Sequence, residues 1–377
     1  MLTKDELERY SRHLTLPEFG YKKQELLKQS SVLVVGSGGL GSPTLLYLAA
    51  AGVGVIGVVD FDIVEKSNLQ RQVIHSSDWI GKPKALSAQY VLNNLNKNCN
   101  IRIYNETLTA ENALQIIKEY DVVVDGTDNF PTRYLVNDAC VLLDKPYIYG
   151  SILRFEGQAS VFNLNRNSPN YRDLVPEPPP KDLVPSCAEG GVLGVLPGII
   201  GVIQATETIK VLTGIGETLD GRLLVYDALQ MKFKELKIQK TNEYKIEKLI
   251  NYNEFCNPAD LNNKASEIFI QDIEPVLAKE LLSSGEYVII DVRTENERQI
   301  CKIDGSLHFE MKNIENGRST EAIRKISKNK KIIMSCKIGG RSRKCAEILA
   351  AKNIVTENLK GGILKWIDEV APELAKY

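Results

Sequence analysis

Residues 30–59 constrain the fold of this 377-residue chain most, because they carry no charge over a length that could span a bilayer. A continuous membrane helix is excluded by the residues that interrupt the stretch, namely Gly36, Gly38, Gly39, Gly41, Pro43, Gly52, Gly54 and Gly57. β-Branched runs at 32–35 and 55–59 enclose a glycine turn and an apolar helix at about 42–51. The stretch therefore predicts a buried strand, helix and strand.

The same alternation continues along the next hundred residues. Helices are predicted at about 84–95, 110–119 and 131–143, with strands at 101–104, 122–125 and 147–149. Repeated strands and helices of this kind favour an α/β fold with a doubly wound, mostly parallel sheet and helices on both faces. Residues 157–162 alternate in polarity and predict an added antiparallel strand.

The rest of the chain predicts a crossing loop, a linker and a second domain. Six prolines in 165–185 predict an irregular loop, a helix is predicted from Pro197 to about residue 212, and 223–226 with 233–238 predict a hairpin. Helices at about 274–282 and 342–351 with strands at 287–291 and 331–335 predict another α/β domain. The predicted organisation is a first domain at 1–240, a flexible linker within 239–264 and a second domain at 265–377.

Composition excludes several classes of protein. Forty-seven basic and 48 acidic residues give a net charge of -1, which predicts neither nucleic acid nor membrane as a direct partner. Seven cysteines, an odd number, do not suit a disulfide framework, and the charged start of the chain does not resemble a signal peptide. These features predict a cytoplasmic protein.

A nucleotide site is predicted at the first glycine turn. Gly36, Gly38, Gly39 and Gly41 follow a strand and open a helix, where backbone N–H groups can hold phosphate. Asp60 ends the second strand, at a position that typically binds a ribose hydroxyl. These residues alone would also suit an NAD-dependent oxidoreductase.

Charged residues near the same sheet edge favour ATP. A triphosphate carries about four negative charges, so its site needs Arg or Lys donors and a carboxylate for Mg²⁺. Arg71, Lys84 and Asp128 could supply these groups.

With these motifs the chain resembles the ThiF/MoeB-like adenylyltransferases of the E1 family, which activate ubiquitin-like sulfur carriers for molybdopterin synthase and thiamin synthesis. The resemblance runs from Arg9-Tyr-Ser-Arg-His through GSGGLGS, DFDIVEKSNLQRQ, GKPK, DGTDN and EGQASVF to SCAEGGVLG, over about 240 residues. It implies an ATP site formed by Gly36, Gly38, Gly39, Gly41, Asp60, Ser67, Asn68, Gln70, Arg71, Lys84, Asp128 and Asn129. Asp128 would bind Mg²⁺, and Arg12 would reach the triphosphate of a neighbouring subunit, which implies a homodimer.

The chain departs from this family at its structural zinc. Many members bind zinc through two Cys-x-x-Cys pairs, whose positions here are Asn170 with Asp173 and Cys256 with Ala259. Tetrahedral zinc needs four N or S donors, which a lone Cys256 with Asp173 does not provide, so we predict no zinc and interpret Cys256 as an ordinary linker thiol. Cys187 is predicted to be a functional thiol that forms a thioester or a transient disulfide.

A sulfur site is predicted in the second domain. Cys336 begins the loop Cys-Lys-Ile-Gly-Gly-Arg-Ser between a strand and a helix, where backbone N–H groups favour a thiolate, and Lys337 and Arg341 would hold an anionic donor. The domain resembles rhodanese in the order of Asp291-Val-Arg, Ile303-Asp-Gly-Ser-Leu-His, this loop, Gly361-Gly and Trp366. Cysteine phosphatases have five residues between Cys and Arg, and here there are four. His308 is interpreted as a structural residue in a turn.

Together the two resemblances imply a fused adenylyltransferase and sulfurtransferase. The C-terminal Gly-Gly carboxylate of a ubiquitin-like sulfur carrier would be adenylated by ATP and Mg²⁺. A Cys336 persulfide, loaded by a cysteine desulfurase or thiosulfate, would then attack, and Cys187 would help to release the thiocarboxylate. The alternative is an E1-like enzyme that forms a Cys187 thioester for protein conjugation. The carrier and the sulfur donor stay open.

Overall fold

The computed structural model describes residues 1–179, 190–241, 244–256 and 269–377. The chain divides into two units, Met1–Leu261 and Asn262–Tyr377. The division lies inside the predicted linker, and the domain borders at residues 240 and 265 stay predictions.

The described helices of the first unit are α1 (Lys4–Arg9), α2 (Ser11–Leu14), α3 (Gly20–Gln29), α4 (Gly41–Ala51), α5 (Lys84–Leu95), α6 (Ala113–Ile117), α7 (Phe130–Leu142), α8 (Tyr171–Leu174), α9 (Leu196–Thr213) and α10 (Tyr252–Cys256). Its described strands are β1 (Ser31–Val35), β2 (Val55–Val59), β3 (Asn100–Tyr104), β4 (Val122–Asp125), β5 (Tyr147–Leu153), β6 (Glu156–Phe162), β7 (Arg222–Asp227) and β8 (Lys232–Lys237).

The strands form one sheet in the order β3-β2-β1-β4-β5-β6-β7-β8. The pairs from β3 to β5 are parallel, and β5 to β8 are antiparallel. The mostly parallel α/β fold and the closing hairpin are therefore confirmed. The strands before β4 are added on one side of β1, and β4 and the later strands are added on the other side. Sheets of this kind bind ligands in a crevice at this point, outside the carboxyl ends of the strands.

Strand β1 explains how the sheet is buried on both faces. Val32 and Val34 belong to one apolar cluster together with Leu45 of α4. Leu33 and Val35 point the other way and join a second cluster. Because side chains alternate along a strand, an uninterrupted apolar run fills both cores, and this is why residues 30–59 lack charge.

Two predictions for the first unit are wrong in part. The proline-rich stretch contains a short helix, α8, whose N-terminus is capped by the Asn170 side chain. The predicted linker contains α10, and Tyr252, Cys256 and Phe255 pack into the second core cluster. Residues 244–256 therefore belong to the first unit, because Tyr252 and Cys256 near the end of this segment are buried in its core, and this end of the segment is not a free tether.

The described helices of the second unit are α11 (Pro275–Ser283), α12 (Glu295–Ile300), α13 (Met311–Glu315), α14 (Thr320–Ser327), α15 (Gly340–Ala350) and α16 (Gly362–Glu369). Its described strands are β9 (Asp272–Ile273), β10 (Tyr287–Asp291), β11 (Leu307–His308), β12 (Lys331–Ser335) and β13 (Glu357–Leu359). They form a parallel sheet in the order β11-β10-β12-β13-β9. The predicted second α/β domain is confirmed, and within the described ranges of the chain no helix is long and apolar enough to cross a membrane.

Candidate active sites

The glycine turn between β1 and α4 brings main-chain segments into close contact. Gly36 has a φ of +93°, and a Cβ built on Gly41 would lie 1.9 Å from the Gly36 carbonyl oxygen. A Cβ on Gly126, after β4, would lie 2.6 Å from the same oxygen. Larger residues are excluded at these positions, so the turn and the end of β4 form a tight cradle at the carboxyl edge of the sheet.

Asp60 organises this turn from the end of β2. Its buried carboxylate accepts hydrogen bonds from the amide and the hydroxyl of Ser37, each at 2.8 Å. The other oxygen accepts from the amide of Asp62 at 3.0 Å. A carboxylate that holds the glycine turn and lies at the end of the second strand suits a ribose contact, which stays a prediction.

Two cationic residues of the predicted ATP site lie near the turn. A Cβ on Gly39 would lie 3.7 Å from Cγ of Arg71, whose Nη1 donates to the carbonyl oxygen of Ser67 at 3.2 Å. Lys84 is buried at the start of α5, and its Nζ lies 2.9 Å from Oδ2 of Asp62. Lys84 is therefore held by a neighbour of Asp60, whereas the hydrogen bond of Arg71 lies at the exposed surface.

His75 was not singled out in the sequence, although it connects the turn to α5. Its Nε2 lies 3.1 Å from the carbonyl oxygen of Ser37, so this nitrogen must donate, and Nδ1 accepts from Oγ of Ser87 at 2.9 Å. Burial and the nearby charge of Lys84 lower the pKa of His75 to about 4. The imidazole is thus neutral at physiological pH and has a positioning role.

The remaining predicted residues lie around the same edge. Asn68 is buried and its side chain accepts from the amide of Glu65, whereas Gln70 contacts the segment at Gly194. Gln72 lies against Gly38, and its Oε1 has no hydrogen-bond partner among the described residues. A buried acceptor without a partner beside an open glycine turn suits a site that receives a polar ligand.

The segment after β4 carries the predicted magnesium ligand. Asp128 is exposed, and Asn129 caps α7 by accepting from the amide of Thr132 at 2.9 Å. Among the residues that the structure describes, no cluster of three His, Cys, Asp or Glu could hold a metal ion. A lone carboxylate fits Mg²⁺ when the substrate phosphates supply the other oxygens, as is usual for this ion.

A buried cluster that was missed in the sequence fixes this segment. Asp125 accepts from the amide of Thr127 at 2.8 Å, from Nε of Arg133 at 3.2 Å and from the hydroxyl of Tyr147 at 2.6 Å. Burial and the charge of Asp125 raise the pKa of Tyr147 well above its usual value, so the phenol stays a donor. The cluster holds the backbone that leads to Asp128.

Two predicted catalytic residues are not brought to this edge by the described structure. Arg12 is exposed on α2, and its contact with a neighbouring subunit stays a prediction. Cys187 lies outside the described residues.

Three of the four family zinc positions lie among the described residues, and Ala259 lies outside them. Asp173 accepts from the amides of Asn170 and Thr241, each at 2.8 Å. Cys256 is buried, and burial raises the pKa of its thiol to about 11. The interpretation of Cys256 as a linker thiol is wrong, because it packs in the core of the first unit.

The predicted sulfur site lies between β12 and α15. Cys336 is fully buried, and its Sγ accepts from the amide of Gly339 at 3.1 Å. Gly339 has a φ of +98° and caps α15, whose first turn includes Ser342, with its Oγ 3.3 Å from the sulfur. The sulfur therefore faces a helix N-terminus, as the loop sequence predicts.

Ser342 also belongs to a relay that the sequence did not indicate. Oγ of Ser342 lies 2.6 Å from Oδ1 of Asn358, and Nδ2 of Asn358 donates to Asp272 at 2.8 Å. Because Asp272 takes the amide hydrogen, Oδ1 of Asn358 must accept the serine proton. The relay therefore fixes the direction in which the Ser342 hydroxyl points.

The arginine of the loop has an acidic partner. Arg341 forms a bidentate ion pair with Glu297, with N–O distances of 2.6 and 2.9 Å. Burial would raise the pKa of Glu297, but hydrogen bonds from Arg341 and Thr294 lower it to about 2. Arg341 is thus already paired with a carboxylate, and its role in holding an anionic donor stays a prediction.

His308 lies in β11 rather than in a turn. Its Nε2 is 2.7 Å from the carbonyl oxygen of Arg293, and Nδ1 is 3.2 Å from Glu295. Arg293 is itself fully buried against Asp291. These contacts agree with a structural role for His308.

The chain resembles known proteins over both units. A match to the ThiF family covers residues 10–246, and a match to the Rhodanese-like domain covers residues 274–369. A Mycobacterium tuberculosis protein named "Probable adenylyltransferase/sulfurtransferase MoeZ" is 46% identical over 385 residues, covering 100% of this chain and 96% of that protein. The Drosophila sechellia protein named "Adenylyltransferase and sulfurtransferase MOCS3" is 39% identical over 392 residues, covering 100% and 86%.

A solved structure shares the fold of the first unit. The crystal structure of E. coli MccB with ATP has a TM-score of 0.56 and 21% identity, covering 63% of this chain and 73% of that one. At this identity the similarity concerns the fold alone.

Proposed function

The chain belongs to the ThiF family, in the group that joins an adenylyltransferase to a rhodanese-like sulfurtransferase, and we propose that it converts a carrier carboxylate into a thiocarboxylate. The substrate is the C-terminal Gly-Gly of a ubiquitin-like sulfur-carrier protein, which the first unit adenylates and the second unit supplies with sulfur. The observation that carries the proposal is the presence of two complementary sites in one chain. One is a glycine cradle with Asp60, and the other is Cys336 at a helix N-terminus.

Activation is needed because a carboxylate is a poor electrophile. The cradle and the N-terminus of α4 would hold the ATP phosphates, with Arg71, Lys84 and, from a partner subunit, Arg12 placed to offset the charge that develops on them. The carrier carboxylate attacks the α-phosphorus, and pyrophosphate leaves. Mg²⁺ bound at Asp128 would neutralise phosphate charge when present.

The second step uses Cys336 as a sulfur nucleophile. The outer sulfur of its persulfide attacks the acyl carbon, and AMP leaves with the bonding electrons. A thiol, for which we propose Cys187, then attacks the Cys336 sulfur of the acyl disulfide and releases the thiocarboxylate. A thiol reductant is required to reduce the disulfide that this step leaves.

The adenylation half is tested by carrier-dependent exchange of pyrophosphate into ATP. Lys84→Met should lower the exchange rate about a hundredfold, because it removes from a buried site an ammonium group that would donate hydrogen bonds to the phosphates. Lys82→Met is the matched control, since Lys82 is exposed and lies two residues earlier. Equal activity of the two variants, or exchange that does not depend on a Gly-Gly carrier, would contradict the proposal.

A further inference from the structure

Glu297 has a position in the second unit that the reaction outlined above does not explain. It lies in the first turn of α12, and its carboxylate accepts from both Nη atoms of Arg341. The exposed fractions of the two side chains are only 13% for Glu297 and 18% for Arg341. Arg341 belongs to the Cys336 loop, so an acidic group is built directly into the sulfur site.

The carboxylate is held from three further directions. The amide of Thr294 donates to it at 3.0 Å, and the amide of Glu297 donates to Oγ1 of Thr294 at 3.4 Å, which together form the capping box of α12. The hydroxyl of Thr294 also donates to the carboxylate, at 3.1 Å. The hydroxyl of Tyr377 donates to it at 3.1 Å and accepts from Nη1 of Arg293 at 2.8 Å. Glu297 cannot turn away from Arg341 without breaking these bonds.

The second cation of the loop has an internal neighbour as well. Nζ of Lys337 lies 4.6 Å from the centroid of the Tyr377 ring, a distance typical of a cation–π contact. Tyr377 therefore contacts both the loop lysine and the carboxylate that neutralises the loop arginine. The charge of Arg341 is thus offset by a carboxylate, and the ammonium group of Lys337 is directed toward an internal aromatic ring.

This arrangement has a cost that depends on the charge of the donor. Arg341 is the bidentate cation of the loop that a dianion such as thiosulfate would bind best, and taking it would leave Glu297 buried without its partner. A donor whose transferable sulfur carries at most a single charge can reach Cys336 while the ion pair stays intact. The loss of the ion pair therefore weakens the binding of dianionic donors and leaves the binding of singly charged donors unaffected.

Resting on the proposed function, we propose that Glu297 is a specificity-determining residue that excludes dianionic sulfur donors in favour of a persulfide carried on a thiol. The Cys336 thiolate attacks the outer sulfur of the donor R–S–SH. A new S–S bond forms as the S–S bond of the donor breaks, and R–S⁻ leaves with the electron pair. The proton stays on the transferred sulfur, and no other oxidant or reductant is needed.

The test compares two small donors that differ mainly in charge, the thiosulfate dianion and the methanethiosulfonate monoanion, with cyanide as sulfur acceptor and the full-length chain. In Glu297→Gln, the KM for thiosulfate should fall roughly tenfold, and the KM for methanethiosulfonate should change less than about twofold. The value of kcat should stay within about twofold for both donors. Glutamine keeps the capping box, so the fold should be retained.

Glu295→Gln is the matched control, because it removes the same charge two residues earlier, where the side chain is 62% exposed. It should leave the ratio of the two KM values unchanged. Tyr377→Phe removes one hydrogen bond to Glu297 without changing any charge, and it should lower the thiosulfate KM in the same direction by about twofold to threefold.

The proposal is overturned if Glu297→Gln changes both KM values equally, changes neither, or lowers kcat for both donors as a merely structural defect would. Should Glu297→Gln fail to fold, an unchanged thiosulfate KM in Tyr377→Phe overturns it instead. The assay uses neither ATP nor a carrier, so a failure of the proposed thiocarboxylation would leave this result unaffected.

Discussion

The hydroxyl of Tyr252 provides a direct test of the finding that residues 244–256 belong to the first unit. It donates to Oδ2 of Asp138 at 2.8 Å, and Tyr252 is 6% exposed. Asp138 also binds Nε and Nη2 of Arg172 at 2.9 and 2.8 Å. This buried network fastens α10 to α7.

The expected magnitude for Tyr252→Phe follows from these contacts. A hydrogen bond to a charged acceptor contributes about 1.5–3 kcal/mol to the free energy of unfolding. Asp138 keeps both bonds from Arg172 in the variant, so no buried charge is left without a partner. A loss of about 2 kcal/mol should lower the Tm of a domain of this size by roughly 4–8 °C.

Scanning calorimetry of the full chain provides the measurement, with the transition of the second unit as an internal reference. The control is Tyr244→Phe, which makes the same chemical change on an exposed side chain of the same segment. Limited proteolysis within residues 244–256 should become faster only in Tyr252→Phe. If both variants unfold like the parent, to within about 0.5 kcal/mol, residues 244–256 are a tether and our assignment is incorrect.

Three further predictions concern the two sites. Gly41→Ala should abolish ATP binding measured by titration calorimetry, because its Cβ would lie 1.9 Å from a carbonyl oxygen of the turn, whereas Gly198→Ala, which has open space, should not. The pKa of His75 is about 4 when folded, against 6.5 as its ordinary value, so the unfolded chain binds more protons between these values and the first unit loses stability as pH falls through them. Urea titrations at pH 7 and 4.5 should show a smaller loss in His75→Gln, by about 2 kcal/mol, and an equal loss would contradict the reasoning. Asn358→Leu should raise the alkylation rate of Cys336 at neutral pH about threefold, read by peptide mass, because the serine hydroxyl loses its 2.6 Å acceptor and then divides between the sulfur at 3.3 Å and the Gly339 carbonyl oxygen at 3.0 Å; an unchanged or lower rate would refute the relay.

Local signals predicted the parts of the fold that depend on neighbouring residues. A strand that is buried on both faces needs an uninterrupted apolar run, which the sequence shows as Val32, Leu33, Val34 and Val35. The glycine turn that follows is formed by neighbouring residues. The same holds for Cys336, whose turn and helix follow within six residues. These elements could therefore be predicted from the sequence.

Long-range pairings could not be predicted in this way. Glu297 and Arg341 lie 44 residues apart, and a glutamate in a helix of alternating charges is usually solvated. Tyr252 and Asp138 lie 114 residues apart, and the polar composition around Tyr252 is typical of a linker. Charge and aromatic content are visible in the sequence, but the partner that a side chain meets is determined by the sheet order.

The measurement that tests the central claim most directly is the intact mass of Gly-Gly carriers after incubation with the chain, Mg-ATP and a persulfide donor. We expect one carrier to gain the mass of one sulfur in place of one oxygen, only with ATP and only with Cys336 intact. The Cys336→Ala variant should still adenylate that carrier. A carrier that gains sulfur without ATP, or in the Cys336→Ala variant, would contradict the account.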